Sequence, residues 1–178
     1  MTAKPLFDRV WAMPNQWTFT IKPIAELLKQ EVGEGLWCDP FAGQNSPAQV
    51  TNDLRKEMPT THHLPAIEFL KAQQSESFDG VLYDPPYSPR QVKECYNSIA
   101  LDEWDGKWDG RSTFWSETLD ECARILKPNG KLICFGWSSM GAGKGRGFEM
   151  QRILLVPHGS RKNDTIVTVE RKVQGALL

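Results

Sequence analysis

The stretch Phe78-Asp79-Gly80-Val81-Leu82-Tyr83-Asp84-Pro85-Pro86-Tyr87 constrains this chain more than any other. Val81, Leu82 and Tyr83 form a short apolar run of the kind that makes a buried central strand. Asp84-Pro85-Pro86-Tyr87 stops it, because neither proline has a backbone N–H and each holds the residue before it in extended geometry. A stiff turn is therefore predicted at the carboxyl end of a strand, where open α/β sheets place their ligands. The residue types suit a planar ring with an exocyclic amine. Asp84 is acceptor-only when ionised, the prolines fix the direction of its carbonyl, and Tyr87 offers a flat face. A plain Pro-Pro strand terminator, with a solvated Asp and a packed Tyr, uses the same residues without any ligand.

A length of 178 residues fits one domain (1–178) with a real core. The net charge of -1 announces no nucleic-acid partner in bulk, so any basic surface must be local. Cys38, Cys95, Cys122 and Cys134 show no CxxC pair and no metal spacing. Cys38 and Cys134 lie in apolar runs and read as small core residues. His62 and His63 are adjacent and lack partner ligands, so no metal is expected. The chain shows neither a signal peptide nor a membrane-length apolar run, which makes cytoplasmic residence and no membrane partner the expectation. Seven tryptophans leave aromatic surface for base stacking.

Residues 1–17 read as an irregular arm. From Thr18 to Leu28, Thr20 is a plausible N-cap, Pro23 suits an early helical position, and Ile24, Leu27 and Leu28 share a helical face that ends near Gly33. Leu36-Trp37-Cys38 reads as a strand running into Asp39-Pro40-Phe41-Ala42-Gly43, where Gly43 permits a close backbone approach. The segment Gln44 to Gln49 is too short for a full helix and contains Pro47, so a tight loop with Asn45 or Ser46 as polar contacts is expected. Val50 to Leu54 forms the next strand. An acid at its end, Asp53, is placed to take ribose hydroxyls, with Asn52 as the weaker candidate. Pro59 to Leu70 should hold a third short strand and a helix.

Beyond Tyr87, residues 88–113 and 138–148 read as substrate-facing loops. Ser88 and Arg90 open the first, before a short helix through Val92, Cys95 and Tyr96. Arg90, Lys107 and Arg111 are phosphate candidates and Gln91 is a base-edge candidate. Phe114 to Leu126 is a helix ended by Pro128-Asn129-Gly130, and Lys131 to Trp137 is a buried strand. In the second loop, glycine amides with Lys144 and Arg146 either embrace a phosphate or form a plain linker. Ile153 to Val156 and Thr165 to Val169 finish the chain as two strands.

Asp84-Pro85-Pro86-Tyr87 resembles the catalytic motif of the S-adenosylmethionine-dependent amino-methyltransferases, chiefly DNA adenine-N6 enzymes, with cytosine-N4 and some RNA enzymes as relatives. The resemblance runs from about Thr18 to Lys172. Asp39-Pro40-Phe41-Ala42-Gly43 resembles the motif that holds the methionine part of the cofactor, so Asp39 would accept from its ammonium and Phe41 would cover an apolar part. By the same resemblance, Phe19, Thr20 and Lys22 lie along the cofactor, Asn45 gives a polar contact, Asp53 with Asn52 and Leu54 meets the ribose, and Ala66 and Ile67 flank the adenine. Two departures stand out: no helix fits after Gly43, and Pro65 replaces the usual Asp before Ala66. The resemblance implies an α/β, class I (Rossmann-like) three-layer sandwich, mostly parallel, with a terminal antiparallel hairpin. It also implies methyl transfer to adenine N6 in DNA without a metal. Restriction–modification, phage self-protection and regulation all fit such a chain, and the oligomeric state, a homodimer included, is left open by the sequence. RNA is the alternative substrate. A catalytically silent nucleic-acid-binding module, or a subunit of a larger enzyme, is the alternative of a different class.

Overall fold

The computed structural model describes residues 4–88, 90–91, 113–159 and 163–173. Its strands are β1 (Leu6–Arg9), β2 (Trp37–Asp39), β3 (Val50–Thr51), β4 (Phe78–Tyr83), β5 (Leu126–Gly136), β6 (Phe148–Val156) and β7 (Thr165–Lys172). They form one sheet in the order β1-β6-β7-β5-β4-β2-β3. β2 pairs in parallel with β3 and β4, and β4 with β5; β1 pairs in parallel with β6. β7 is inserted antiparallel between β5 and β6, which closes the sheet with the expected hairpin. The buried apolar run of the sequence is β4, an interior strand next to the central β5, whose Val81 and Leu82 are fully enclosed.

Helices cover both faces. On one side α1 (Lys22–Glu31) presents Ile24, Leu27 and Leu28 to Trp37, Leu82, Ile133 and Val167. On the other, α2 (Ala66–Lys71) and α3 (Phe114–Ile125) bury Phe69, Leu70, Cys122 and Ile125 with Cys38, Val81 and Leu132. The side chains that alternate along a strand thus meet two separate cores, the reason β4 reads as continuously apolar rather than alternating. Among the described residues no helix is long and apolar enough to cross a membrane.

Four local expectations need correction. Thr20 does not cap α1. Its hydroxyl donates to the Trp17 carbonyl at 2.8 Å and accepts from Asn15 at 2.8 Å, closing a 3₁₀ turn at Thr18–Thr20, and Ile21 takes the cap position without a side-chain bond. The third strand reduces to one bridge between Asn52 and His62. The arm contributes strand β1, continued by Val10 and Ala12 donating to the carbonyls of Leu155 and Pro157. Finally, α3 stops at Ile125, and Pro128-Asn129-Gly130 lies inside β5, with Asn129 at φ 65° and a register shift between Phe78 and Gly80. The end of α3 is set elsewhere. Lys172 on β7 is 3% exposed and its Nζ donates to the carbonyls of Ala123 and Leu126 at 2.8 and 2.7 Å. A cation on the last carbonyls satisfies the orphan acceptors and the negative end of the helix.

Candidate active site

The carboxyl ends of β2 and β4 lie side by side, at the point where the chain leaves β2 for β3 on one side and β4 for β5 on the other. Such a switch point opens a crevice. A small cavity of about 150 Å³ lies there, lined by Trp17, Phe19, Phe41, Gly43, Arg55 and Asp84 among others. A second cavity of about 770 Å³ adjoins the same turn, with Thr18, Tyr87, Gln91 and Trp137 in its wall. Asp84 faces the first cavity, Tyr87 the second and Thr18 both.

The turn is tightly held. The Tyr87 hydroxyl donates to Asp84 Oδ1, and the Thr18 side chain also bonds Asp84. Trp115 Nε1 donates to the Pro86 carbonyl at 3.0 Å, and the Tyr87 N–H donates to Gln91 Oε1 at 2.8 Å. Burial raises the Asp84 carboxyl above its ordinary value, against the two hydrogen bonds that favour its charged form. Burial and the neighbouring Asp84 charge push the Tyr87 phenol up, so it stays a donor.

Asp39 lies deeper. It is fully buried, and both oxygens are occupied by its own loop: the Phe41 N–H at 2.9 Å and the Ser46 hydroxyl at 2.6 Å. Desolvation raises its pKa from 3.8 to about 7. Gly43 follows at φ 54°, a backbone region that L side chains rarely adopt, and an added Cβ would stand 3.3 Å from the Trp17 ring. The Gly43 N–H donates to Asp53 Oδ2 at 3.1 Å, and Arg55 pairs with Asp53 at 3.0 Å. Asp53 thus fastens the Gly43 turn as it stands.

Of the residues expected along a cofactor, Phe19, Phe41, Ala42, Gly43 and Asn45 line the small cavity. Thr20, in the 3₁₀ turn, and Lys22, at the start of α1, are exposed and are not among the residues that line it. Asn52 is buried as a clamp: its amide bonds Pro40 O, Leu64 O and the Leu64 N–H. Pro40 and Ala66 are buried, Ile67 is half-buried at the start of α2, and Leu54 is half-buried after β3. Among the candidates for nucleic-acid contact, Gln91 lines the large cavity, and Ser88 accepts the Gln91 N–H at 3.2 Å. Arg90 is exposed next to it. Lys107 and Arg111 lie outside the described residues. Arg146 is drawn to α3, pairing with Asp120 at 2.6 Å and with the Ser116 hydroxyl at 2.8 Å, while Lys144 is exposed. The phosphate reading of the glycine loop changes here, because Glu170 already takes the N–H groups of Ala142 and Gly143 at 2.6 and 3.0 Å. Among the described residues no group of three or more His, Cys, Asp or Glu is arranged to hold a metal.

Sequence reasoning missed Trp17, Thr18, Arg55 and Trp137. Trp137 follows β5, and the pairing of Tyr83 with Cys134 sets it level with the Pro-Pro turn. Its ring lies 5.2 Å from that of Tyr87 at 36°. The signal was an aromatic at the end of a buried strand, but only the strand order makes that strand the neighbour of β4.

No family model matches the sequence, and no curated protein matches it. Solved structures do match. The chain is similar to TrmN from Thermus thermophilus, with TM-score 0.55 and 14% identity over 86% of this chain and 49% of that one. It is also similar to 1,6-didemethyltoxoflavin-N1-methyltransferase from Burkholderia thailandensis, solved with S-adenosylhomocysteine and 1,6-didemethyltoxoflavin bound (TM-score 0.54, 14% identity, 84% of this chain and 76% of that one). A third similar structure is a SAM-dependent methyltransferase from Thermotoga maritima (TM-score 0.51, 14% identity, 84% and 86%). The fold is the class I, Rossmann-like methyltransferase fold. In class I terms, β7 is the antiparallel insertion, and β1 adds a parallel strand outside β6.

Proposed function

We propose that this chain transfers a methyl group from S-adenosylmethionine to the exocyclic amine of a nucleobase, adenine N6 in DNA. The observation that carries the proposal is the turn Asp84-Pro85-Pro86-Tyr87 standing between two cavities. Donor and acceptor of a methyl group must meet at one wall, and this turn is that wall.

The small cavity suits the cofactor by its chemistry. Trp17, Phe19 and Phe41 offer aromatic faces to a sulfonium. Asp53, which is bonded to the Gly43 N–H and paired with Arg55, is the carboxylate that would receive ribose hydroxyls. A volume of about 150 Å³ is small for a nucleoside. Admission of a nucleoside would therefore require the Arg55 side chain, which lines this cavity, to be displaced from Asp53. When bound, S-adenosylmethionine supplies an electrophilic methyl.

The rest is performed by the chain. Tyr87 and Trp137 give the target ring an aromatic wall. Asp84 accepts an N–H of the amine and so turns the nitrogen lone pair toward the small cavity. The same carboxylate, made more basic by burial, holds the proton that the amine gives up. Extracting a base from duplex DNA costs a few kcal/mol, whereas alignment of this kind supplies roughly 7–11 kcal/mol of a barrier.

The test is incubation with labelled S-adenosylmethionine and unmethylated duplex DNA, single-stranded DNA or total RNA, followed by digestion to nucleosides. N6-methyladenine in DNA, absent with Asp84→Ala, is the expected result. Label confined to RNA would move the substrate there. Absence of both label and cofactor binding would make the chain a silent module.

A further inference from the structure

Gln91 is pinned in a way that decides what it can offer a ligand. The group facing its side chain is the backbone N–H of Tyr87, 2.8 Å away. A backbone N–H only donates, so the amide atom that meets it is the oxygen. The amide nitrogen, with two donors, is then the end left for the cavity that Gln91 helps to line. The residue is anchored twice, since its own N–H donates to the Ser88 hydroxyl at 3.2 Å. A glutamine that normally offers both a donor and an acceptor is here fixed as a donor.

Three further amides line this cavity, Asn15, Gln16 and Asn163, and Gln91 is set apart from them as the one whose oxygen is held by the Tyr87 turn itself. Asn15 donates to Thr20 Oγ1 at 2.8 Å and accepts the Trp17 N–H at 3.1 Å, so both its ends serve the turn. His158 is likewise engaged at both ring nitrogens, with Ala12 O and Thr165 Oγ1 at 2.8 Å each. The wall of the large cavity contains no Lys, Arg, Asp or Glu among the described residues. Tyr87, Trp137 and the amide of Gln91 in this wall suit a planar group held by stacking and hydrogen bonds.

We propose that Gln91 is a specificity-determining residue that donates to a ring nitrogen beside the amine to be methylated. This rests on the methyl-transfer reading above and narrows its substrate. Asp84 accepts from the amine and Gln91 donates to the adjacent acceptor, so the site fits an amine flanked by an imine-type nitrogen. Adenine presents this pattern at N6 with N1 or N7; a simple aliphatic amine does not.

The experiment uses an oligonucleotide that the full chain methylates, with the target adenine opposite an abasic site so that base pairing does not enter. Its 1-deaza and 7-deaza forms replace one ring nitrogen each by CH. Wild type is expected to lose roughly 10- to 100-fold in kcat/KM on one of the two, with the same order in equilibrium binding measured without cofactor. Gln91→Glu keeps an acceptor for the Tyr87 N–H but has no donor, so it should bind parent and analogue alike. Gln91→Leu should do the same. Equal activity of wild type on all three oligonucleotides overturns the proposal, as does discrimination that survives in both variants. Methylation of no nucleic acid at all would instead defeat the methyl-transfer reading, a result distinct from either.

Discussion

Two Asp-Pro turns leave neighbouring parallel strands at the same end of the sheet, and they behave in opposite ways. After β2, Asp39 turns inward and is capped by the N–H two residues on, that of Phe41. After β4, the residue two positions on is Pro86, which has no N–H to give. Asp84 cannot cap itself and takes the Tyr87 hydroxyl and Thr18 instead. One proline thus separates a carboxylate that holds its own loop together from one that faces a cavity. Burial raises both, yet of the two it is Asp84 that lines the small cavity.

The comparison is most directly broken at Asp84. Asp84→Ala should lower turnover by roughly 10²- to 10⁴-fold, while calorimetry shows cofactor affinity within a few-fold of wild type. Near-normal turnover would remove Asp84 from the chemistry. Pro86→Ala restores the missing N–H and lets Asp84 cap itself as Asp39 does. It should reduce kcat about 10-fold and move the acid limb of the pH profile to lower pH, because the new donor favours the carboxylate.

Tyr87→Phe works in the other direction. Loss of its donor raises Asp84 further, so activity that depends on the ionised carboxylate should need a higher pH, visible as an alkaline shift of the acid limb. An unchanged limb would mean that Asp84 is not the group titrating.

The smallest effect concerns Asp39 and stability. Its folded pKa of about 7 exceeds the ordinary 3.8, so between these values the folded chain holds a proton that the unfolded chain has lost. The resulting stabilisation is complete at the acid end of this window and fades as pH rises toward about 7. Thermal unfolding of Asp39→Asn should therefore depend less on pH across the window than that of wild type. Parallel curves for the two proteins would deny Asp39 the shift.

Much of this was legible in the sequence because it is local. The apolar run of β4, its proline stop, the amphipathic faces of α1 and α3 and the tight loop after Gly43 each follow from neighbouring residues. The Asp39 and Asp84 turns were also placed at strand ends, each from the short apolar run that leads into it, with the proline stop added after Asp84. What failed was whatever depended on which partner a polar group meets once the chain has folded, near or far in sequence. Thr20 suits an N-cap until Asn15 and Trp17 engage its hydroxyl. The glycine loop suits a phosphate until Glu170, 27 to 28 positions later, takes its amides.

The sequence by itself determined where β2 and β4 stop, the positions of the two acids and the rigidity between Asp84 and Tyr87, because proline acts on its own backbone. Only the tertiary structure decided which way each acid faces and which amide end Gln91 presents. It alone set Trp137 beside Tyr87, through the pairing of β4 with β5. Those outcomes depend on donors and acceptors brought together across the sheet, and a hydrogen bond is formed by proximity in space rather than in sequence.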